Sequence, residues 1–130
     1  MPLMHLGRNA LADLCLGKGN MIAYDSTGAV LQVSSSTAAV ASATSTSVES
    51  TGGSVFASTM ENTYPLLSTN QMTFRGVATT DDANWAWETW GVTNATASGA
   101  GDLLNRVQES LGTKTSAQSW QFTADITLTT

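Results

Sequence analysis

The sequence Trp120-Gln121-Phe122-Thr123-Ala124-Asp125-Ile126-Thr127-Leu128-Thr129 decides the fold, because it alternates apolar and polar residues without a break. Successive side chains of a β-strand point to opposite faces, so this strand has one apolar face and one wholly polar face. Such a strand must pair with a neighbour and cover its apolar face with a second layer. The sequence therefore predicts a mainly β fold, an antiparallel β-sandwich or a jelly-roll-like domain.

Three further segments of the second half are predicted strands. Residues 71–78 and 85–92 alternate in the same way, and residues 103–107 are a third candidate. Strict alternation in the second of these segments puts Trp87 and Trp90 on opposite faces. Aromatic side chains bury the largest areas in a small core, so we predict that six of them form it: Trp85, Trp87, Trp90, Trp120, Phe74 and Phe122.

The N-terminal part has a different pattern. Residues 9–16 carry apolar side chains at helical spacing, which predicts one short helix. Cys15 lies among leucines, and we expect it to be a small buried core residue. Two apolar segments at residues 21–24 and 29–33 flank turn residues at 25–28, which predicts a β-hairpin.

A single domain over residues 1–130 is expected from the length. We divide it into an N-terminal arm with the helix at residues 1–20, a Ser/Thr-rich segment at 34–59 and the main β core at 60–130. The segment at 34–59 holds almost only Ser, Thr, Ala, Val and Gly, so we expect that it anchors no core and can be deleted without unfolding the domain.

Two structures for the Ser/Thr-rich segment remain open. It forms either a mobile loop with short edge strands, or an extended arm that orders against a neighbouring subunit by strand addition. In both cases we expect partner contacts here and in the N-terminal arm, at Pro2, Leu3, Met4, Val40, Val48, Val55 and Phe56.

Composition argues against several classes of function. The net charge is −5 with only five basic residues, which gives no basic stripe for a nucleic acid. One His and one Cys supply too few ligands for a zinc site. The single histidine, His5, lies at the N-terminus, where chains tend to be mobile, so we expect no nucleophile activated by histidine. We also expect no cofactor. No signal peptide and no membrane-spanning apolar stretch is apparent, so we expect the chain to stay in the cytoplasm in which it is made.

The carboxylates offer weak catalytic candidates. Asp81 and Asp82 resemble a calcium pair, but their neighbours have turn composition and too few oxygen ligands are at hand. Glu88 lies between tryptophans in a predicted strand and needs a cationic partner if it is buried. We predict a structural ion pair with Arg106 or Arg75 rather than a catalytic role.

Four tryptophans in so short a chain raise a carbohydrate-binding alternative, because exposed Trp rings stack on sugars. That alternative requires Trp85 or Trp87 to be exposed to solvent. Core packing is favoured, since Trp120 begins an apolar row that must face inward.

The second half of the chain, from Tyr64 to the end, resembles a group of small structural proteins of tailed-phage virions. The similar segments are Gln71-Met72-Thr73-Phe74-Arg75, Ala83-Asn84-Trp85-Ala86-Trp87-Glu88-Thr89-Trp90-Gly91-Val92-Thr93-Asn94, Leu104-Asn105-Arg106-Val107, Leu111-Gly112-Thr113-Lys114-Thr115 and Ser119-Trp120-Gln121-Phe122. The opening residues 9–17 are also similar to the start of such proteins, and a looser similarity extends to N-terminal modules of phage tail fibres. Residues 34–59 and 94–99 depart from the pattern.

The resemblance implies a non-enzymatic particle component located in the virion and assembled in the host cytoplasm. It favours a capsid decoration (cement) protein that binds the major capsid protein and stabilises the outer shell, commonly as a trimer. A tail-fibre or baseplate adaptor is the alternative that the resemblance leaves open.

Overall fold

The computed structural model describes residues 9, 11–12, 15–16, 24–37, 48, 53–94 and 103–128. These residues form two antiparallel β-sheets, which confirms the predicted mainly β class. The seven strands are β1 (Val30–Ser34), β2 (Val55–Thr59), β3 (Leu66–Ser68), β4 (Gln71–Ala78), β5 (Ala86–Thr93), β6 (Leu103–Thr113) and β7 (Trp120–Thr127). The first sheet has the order β2-β1-β5-β6 and the second the order β3-β4-β7.

The second sheet is built on the two strands with the clearest alternation. β4 pairs with β7 over eight residues, and Phe74 lies opposite Ala124 on the face that is buried. Gly76 lies on the same face, where an added Cβ atom would come within 2.5 Å of the Ser58 hydroxyl of β2. The absence of a side chain at this position therefore lets the first sheet approach the second.

The main core lies between the sheets and contains side chains from both, including Leu31, Phe74, Trp87, Trp90 and Ile126. The prediction that Trp87 and Trp90 lie on opposite faces is wrong, since both join this core. The register between β5 and β6 shifts between Trp87 and Thr89, where a β-bulge interrupts the alternation. One irregular residue pair thus reverses the faces predicted beyond it.

The first strand of the predicted hairpin, residues 21–24, lies outside the described residues except for Tyr24, and its predicted pairing with residues 29–33 is not formed. Both edges of β1 are occupied, by β2 on one side and by β5 on the other, so no edge remains for a strand at 21–24. The turn at 25–28 is present, because Asp25 Oδ1 accepts hydrogen bonds from Thr27 and Gly28. Turn chemistry was therefore predicted correctly, while the pairing partner was not.

The Ser/Thr-rich segment contributes to the fold, which corrects the expectation that it anchors no core. It supplies β2, a short edge strand of the first sheet, and Val48 is only 1% exposed. Val48 packs with Leu103 and Val55 in a second cluster. Leu104 lies in the main core, so its neighbour Leu103 and this second cluster lie on the other face of the first sheet.

Residues 9, 11, 12, 15 and 16 have helical backbone, and the residues between them lie outside the described part. Leu11 packs against the main core. Cys15 is exposed, so the prediction that it is buried is wrong. Leu16 beside it is 67% exposed, which shows that Cys15 and Leu16 lie away from the core.

Candidate functional site

The ion pairs predicted for Glu88 with Arg106 or Arg75 do not occur among the described residues. Arg75 lies instead 4.0 Å from Glu61, and its guanidinium carbon lies 4.4 Å from the centre of the Tyr64 ring. Arg75 alternates with the core residues of β4 and so points outward from the second sheet, whereas Glu88 lies on β5 of the first sheet. Among the described residues no ion pair involves Glu88 with either Arg75 or Arg106.

The carboxylates of the described residues do not converge. Glu88 is half-buried at the β-bulge, and Glu109 Oε1 accepts a hydrogen bond from Trp90 Nε1 at 2.9 Å. No group of three His, Cys, Asp or Glu side chains that could hold a metal ion occurs within the described ranges.

A polar cluster that the sequence did not reveal lies at one end of the sandwich. Lys114 is only 1% exposed, and its Nζ donates to the Asp82 backbone oxygen at 2.8 Å and to Asn84 Oδ1 at 2.6 Å. Thr79 donates from its N–H and its hydroxyl to Asp82 Oδ2. These bonds from Thr79, together with the nearby Lys114 charge, hold the pKa of Asp82 below its ordinary value of 3.8. The cluster thus fastens the loop at 79–85 to Lys114.

The six predicted core aromatics all lie in or against the main core. Phe74, Trp87 and Trp90 are buried, and Trp85, Trp120 and Phe122 pack against them. The Trp87 ring lies edge-on to Trp120 at 5.1 Å and to Phe122 at 5.0 Å. Trp87 is 1% exposed and so offers no ring face to a sugar, whereas Trp85 is half-buried and packs against the main core.

The residues expected to contact partners are distributed differently from the prediction. Pro2, Leu3, Met4 and Val40 lie outside the described residues. Val48 is buried within this chain, and Phe56 packs partly against the main core. Val55 is half-buried on the edge strand β2.

The most exposed apolar side chains of the second sheet lie at one of its ends. Leu66 and Leu67 of β3 are 47% and 74% exposed, and Leu128 is 40% exposed. Leu128 exchanges hydrogen bonds with Asn70 in the turn between β3 and β4, which places it at the same end of the sheet. We call Leu66 and Leu67 the β3 edge patch. β3 pairs only with β4 among the described strands, so its other edge presents backbone hydrogen-bonding groups.

Two hollows adjoin at this side of the domain and share Tyr24 and Pro65. The smaller, of about 170 Å³, lies beside the β3 edge patch and is lined by Met72 and Phe74 among others. The larger, of about 560 Å³, is lined by residues 24–26 and 62–65. We call the larger hollow the tyrosine cleft, because Tyr24 and Tyr64 both line it.

Most of the charged side chains on the described surface are acidic. Lys114 is buried and Arg75 is paired with Glu61, whereas the following acidic side chains are at least partly exposed: Asp25, Glu61, Asp81, Asp82, Glu88, Glu109 and Asp125. In the described part of the chain, no helix is long and apolar enough to cross a membrane.

Comparison with known protein families, with curated proteins and with solved structures found no match to this chain. Its candidate sites are therefore judged on their own geometry. The described residues offer an exposed apolar edge strand and a polar cleft, and they contain no group of three side chains that could hold a metal ion.

Proposed function

We propose that this chain is a non-enzymatic structural subunit of a tailed-phage particle, a capsid decoration protein that binds the outer shell through protein contacts. The observation that carries the proposal is the β3 edge patch, two exposed leucines on a strand whose outer edge pairs with no other described strand. The resemblance of residues 64–130 to virion structural proteins supports the choice of a tailed-phage particle. The proposed main partner is the major capsid protein, and a homotrimer is the proposed oligomer.

An edge strand with exposed leucines suits binding to another protein for two reasons. Its free backbone groups pair with an extended segment of a partner, and its side chains enter pockets on that partner. Full burial of one leucine contributes about 1.5–3 kcal/mol before the entropy of association is subtracted. Leu67, at 74% exposure, has the most such area to lose among the large apolar residues.

The surface composition fits a protein that is bound in many copies. Only 12% of the residues are charged, and Ser and Thr make up roughly a quarter, so a contact made by this chain desolvates few ions. A decorated shell repeats the same contact many times, and an oligomer links several contacts in one binding event. Moderate affinity at each patch is then enough for stable decoration.

The proposal is tested with capsid shells prepared without this chain, to which the purified protein is added. Leu67→Ser should lower occupancy on the shell at least tenfold, because it removes the main apolar contact of the β3 edge patch. Leu111→Ser is the matched control, since Leu111 is a leucine of β6 with 41% exposure that lies outside the patch.

Circular dichroism should show that both variants fold. Equal occupancy for the wild type and both variants would remove the β3 edge patch from the proposal. Failure of the wild-type protein to bind any shell would remove the decoration function itself. In the second case a tail-fibre or baseplate adaptor becomes the better hypothesis, and a handful of copies per particle would distinguish it from a shell protein.

A further inference from the structure

The tyrosine cleft has a chemistry that shell binding does not use. We propose that it binds a neutral sugar ring, a hexopyranose with free vicinal hydroxyls. The cleft combines the rings of Tyr24 and Tyr64 with the polar side chains of Asp25 and Asn62 around one open hollow of about 560 Å³. This volume lies within the range of small-ligand sites, about 300–1,000 Å³.

Both loops that form the cleft are held by their own hydrogen bonds. Asp25 Oδ1 accepts three bonds from Thr27 and Gly28, and the Asp25 backbone oxygen accepts one from Ala29 at 2.9 Å. On the other side, Tyr64 N–H donates to the Glu61 oxygen at 3.0 Å. The cleft is thus preformed, and a ligand need not order these loops when it binds.

The exposed parts of two half-buried tyrosine rings provide apolar contact for a sugar ring, while Tyr24 also packs against the main core and Arg75 covers one face of Tyr64. The C–H groups of a pyranose form a flat apolar surface, which packs against an aromatic ring. The Arg75 guanidinium lies 4.4 Å from the centre of the Tyr64 ring and is itself within 4.0 Å of Glu61. These contacts fix the orientation of the Tyr64 ring beside the cleft.

The polar groups supply the complementary bonds to hydroxyls. Asp25 Oδ2 accepts no hydrogen bond from a described residue, and the hydrogen bonds from Thr27 and Gly28 keep the pKa of this carboxyl below 3.8. The carboxylate is therefore an acceptor at neutral pH. The Asn62 carboxamide both donates and accepts, and Ser26 and Thr63 add hydroxyls.

Other ligand classes fit the cleft less well. Its described lining contains no Lys or Arg, and the Asp25 carboxylate repels phosphate, sulfate and acidic sugars. A purely apolar ligand would leave the Asp25 and Asn62 groups unpaired on binding. A quaternary ammonium ion would use the carboxylate and the tyrosines but not the Asn62 side chain, so it serves as the competing probe.

The test is an amide-detected NMR titration of the full chain with the methyl glycosides of glucose, galactose and mannose, and separately with tetramethylammonium. The sugar proposal predicts saturable shifts at Thr27, Gly28 and residues 62–64 with at least one glycoside. Asn62→Ala should weaken that binding about three- to tenfold, the loss expected for one or two hydrogen bonds. Thr80→Ala, an exposed loop substitution outside the cleft, should leave it unchanged.

Three outcomes would overturn the sugar proposal: no saturable shift with any glycoside, saturable shifts with tetramethylammonium alone, or equal affinity of Asn62→Ala and the wild type. The result is separable from shell binding. Asn62→Ala should retain full occupancy on the capsid shell, and Leu67→Ser should retain sugar binding.

Discussion

At the end of the sandwich, the buried ammonium group of Lys114 holds the loop at residues 79–85 in place. Its two bonds go to the Asp82 backbone oxygen and to Asn84 Oδ1, and the Trp87 indole N–H donates to the Ala83 oxygen in the same loop at 3.0 Å. A buried amine is tolerated only where such partners meet it. Lys114 and the core residue Trp87 thereby connect the loop to the rest of the domain.

We predict that Lys114→Met lowers the free energy of unfolding by about 1–3 kcal/mol, because it keeps the side-chain volume but leaves two oxygen acceptors without their donor. Chemical denaturation measures the change. Thr115→Ala, next in the chain and exposed, should change stability little. A Lys114→Met variant as stable as the wild type would show that water replaces the ammonium group without loss.

The depressed pKa of Asp82 predicts a pH dependence of stability. A carboxyl with a lower pKa in the folded state contributes stability that is fully present above its unfolded value, near 3.8, and is lost as the pH falls towards the folded pKa. Asp82→Asn should therefore be less stable than the wild type at neutral pH, and the difference should shrink below about pH 4.

Asp81→Asn is the matched control, because no described residue donates a hydrogen bond to the Asp81 carboxylate. Denaturation curves at several pH values would show the contrast between the two variants. A constant difference between Asp82→Asn and the wild type across the acid range would contradict the assigned hydrogen bonds.

The strands show which parts of the fold can be predicted from the sequence alone. β7 and β4 alternate without interruption, so their core faces follow directly from the sequence. The pairing of β5 with β6 is irregular between Trp87 and Thr89, where one residue of β5 lies against three residues of β6, and no residue pattern predicts this irregularity. Pairing partners are equally hidden, since the choice of β2 over residues 21–24 as the neighbour of β1 depends on contacts distant in the chain.

Low sequence complexity misled the prediction for residues 34–59. A segment of small residues has few apolar side chains, yet its Val48 side chain is buried and packs against Leu103 of the first sheet. The Val48 N–H also donates to Gln32 Oε1 at 3.0 Å, so both its backbone and its side chain fasten the segment. The tyrosine cleft was missed for a different reason, because residues 24–26 and 62–65 that line it are far apart in sequence.

We predict that Val48→Ala lowers the free energy of unfolding by about 1–3 kcal/mol, since it leaves a void against Leu103. Val77→Ala is the control, because Val77 is a half-buried valine on the outward face of β4. Thermal or chemical denaturation distinguishes the two. Equal stability of both variants would mean that Val48 does not fasten the Ser/Thr-rich segment to the first sheet.

On the scale of the whole molecule, a sealed two-layer body presents an acidic, hydroxyl-rich outside and one apolar strand edge. The sandwich follows from the sequence pattern, whereas the proposed place of the chain in a particle depends on the resemblance of residues 64–130 to virion proteins. An acidic surface favours partners with basic groups, so shell binding should weaken as salt is raised.

An image reconstruction of intact phage particles that contain this chain tests the proposed function most directly. We predict density for the seven-stranded sandwich at many symmetry-related positions on the outer capsid, with β3 turned towards the shell. Density confined to the tail, or a particle in which the chain is absent, would contradict the capsid decoration function.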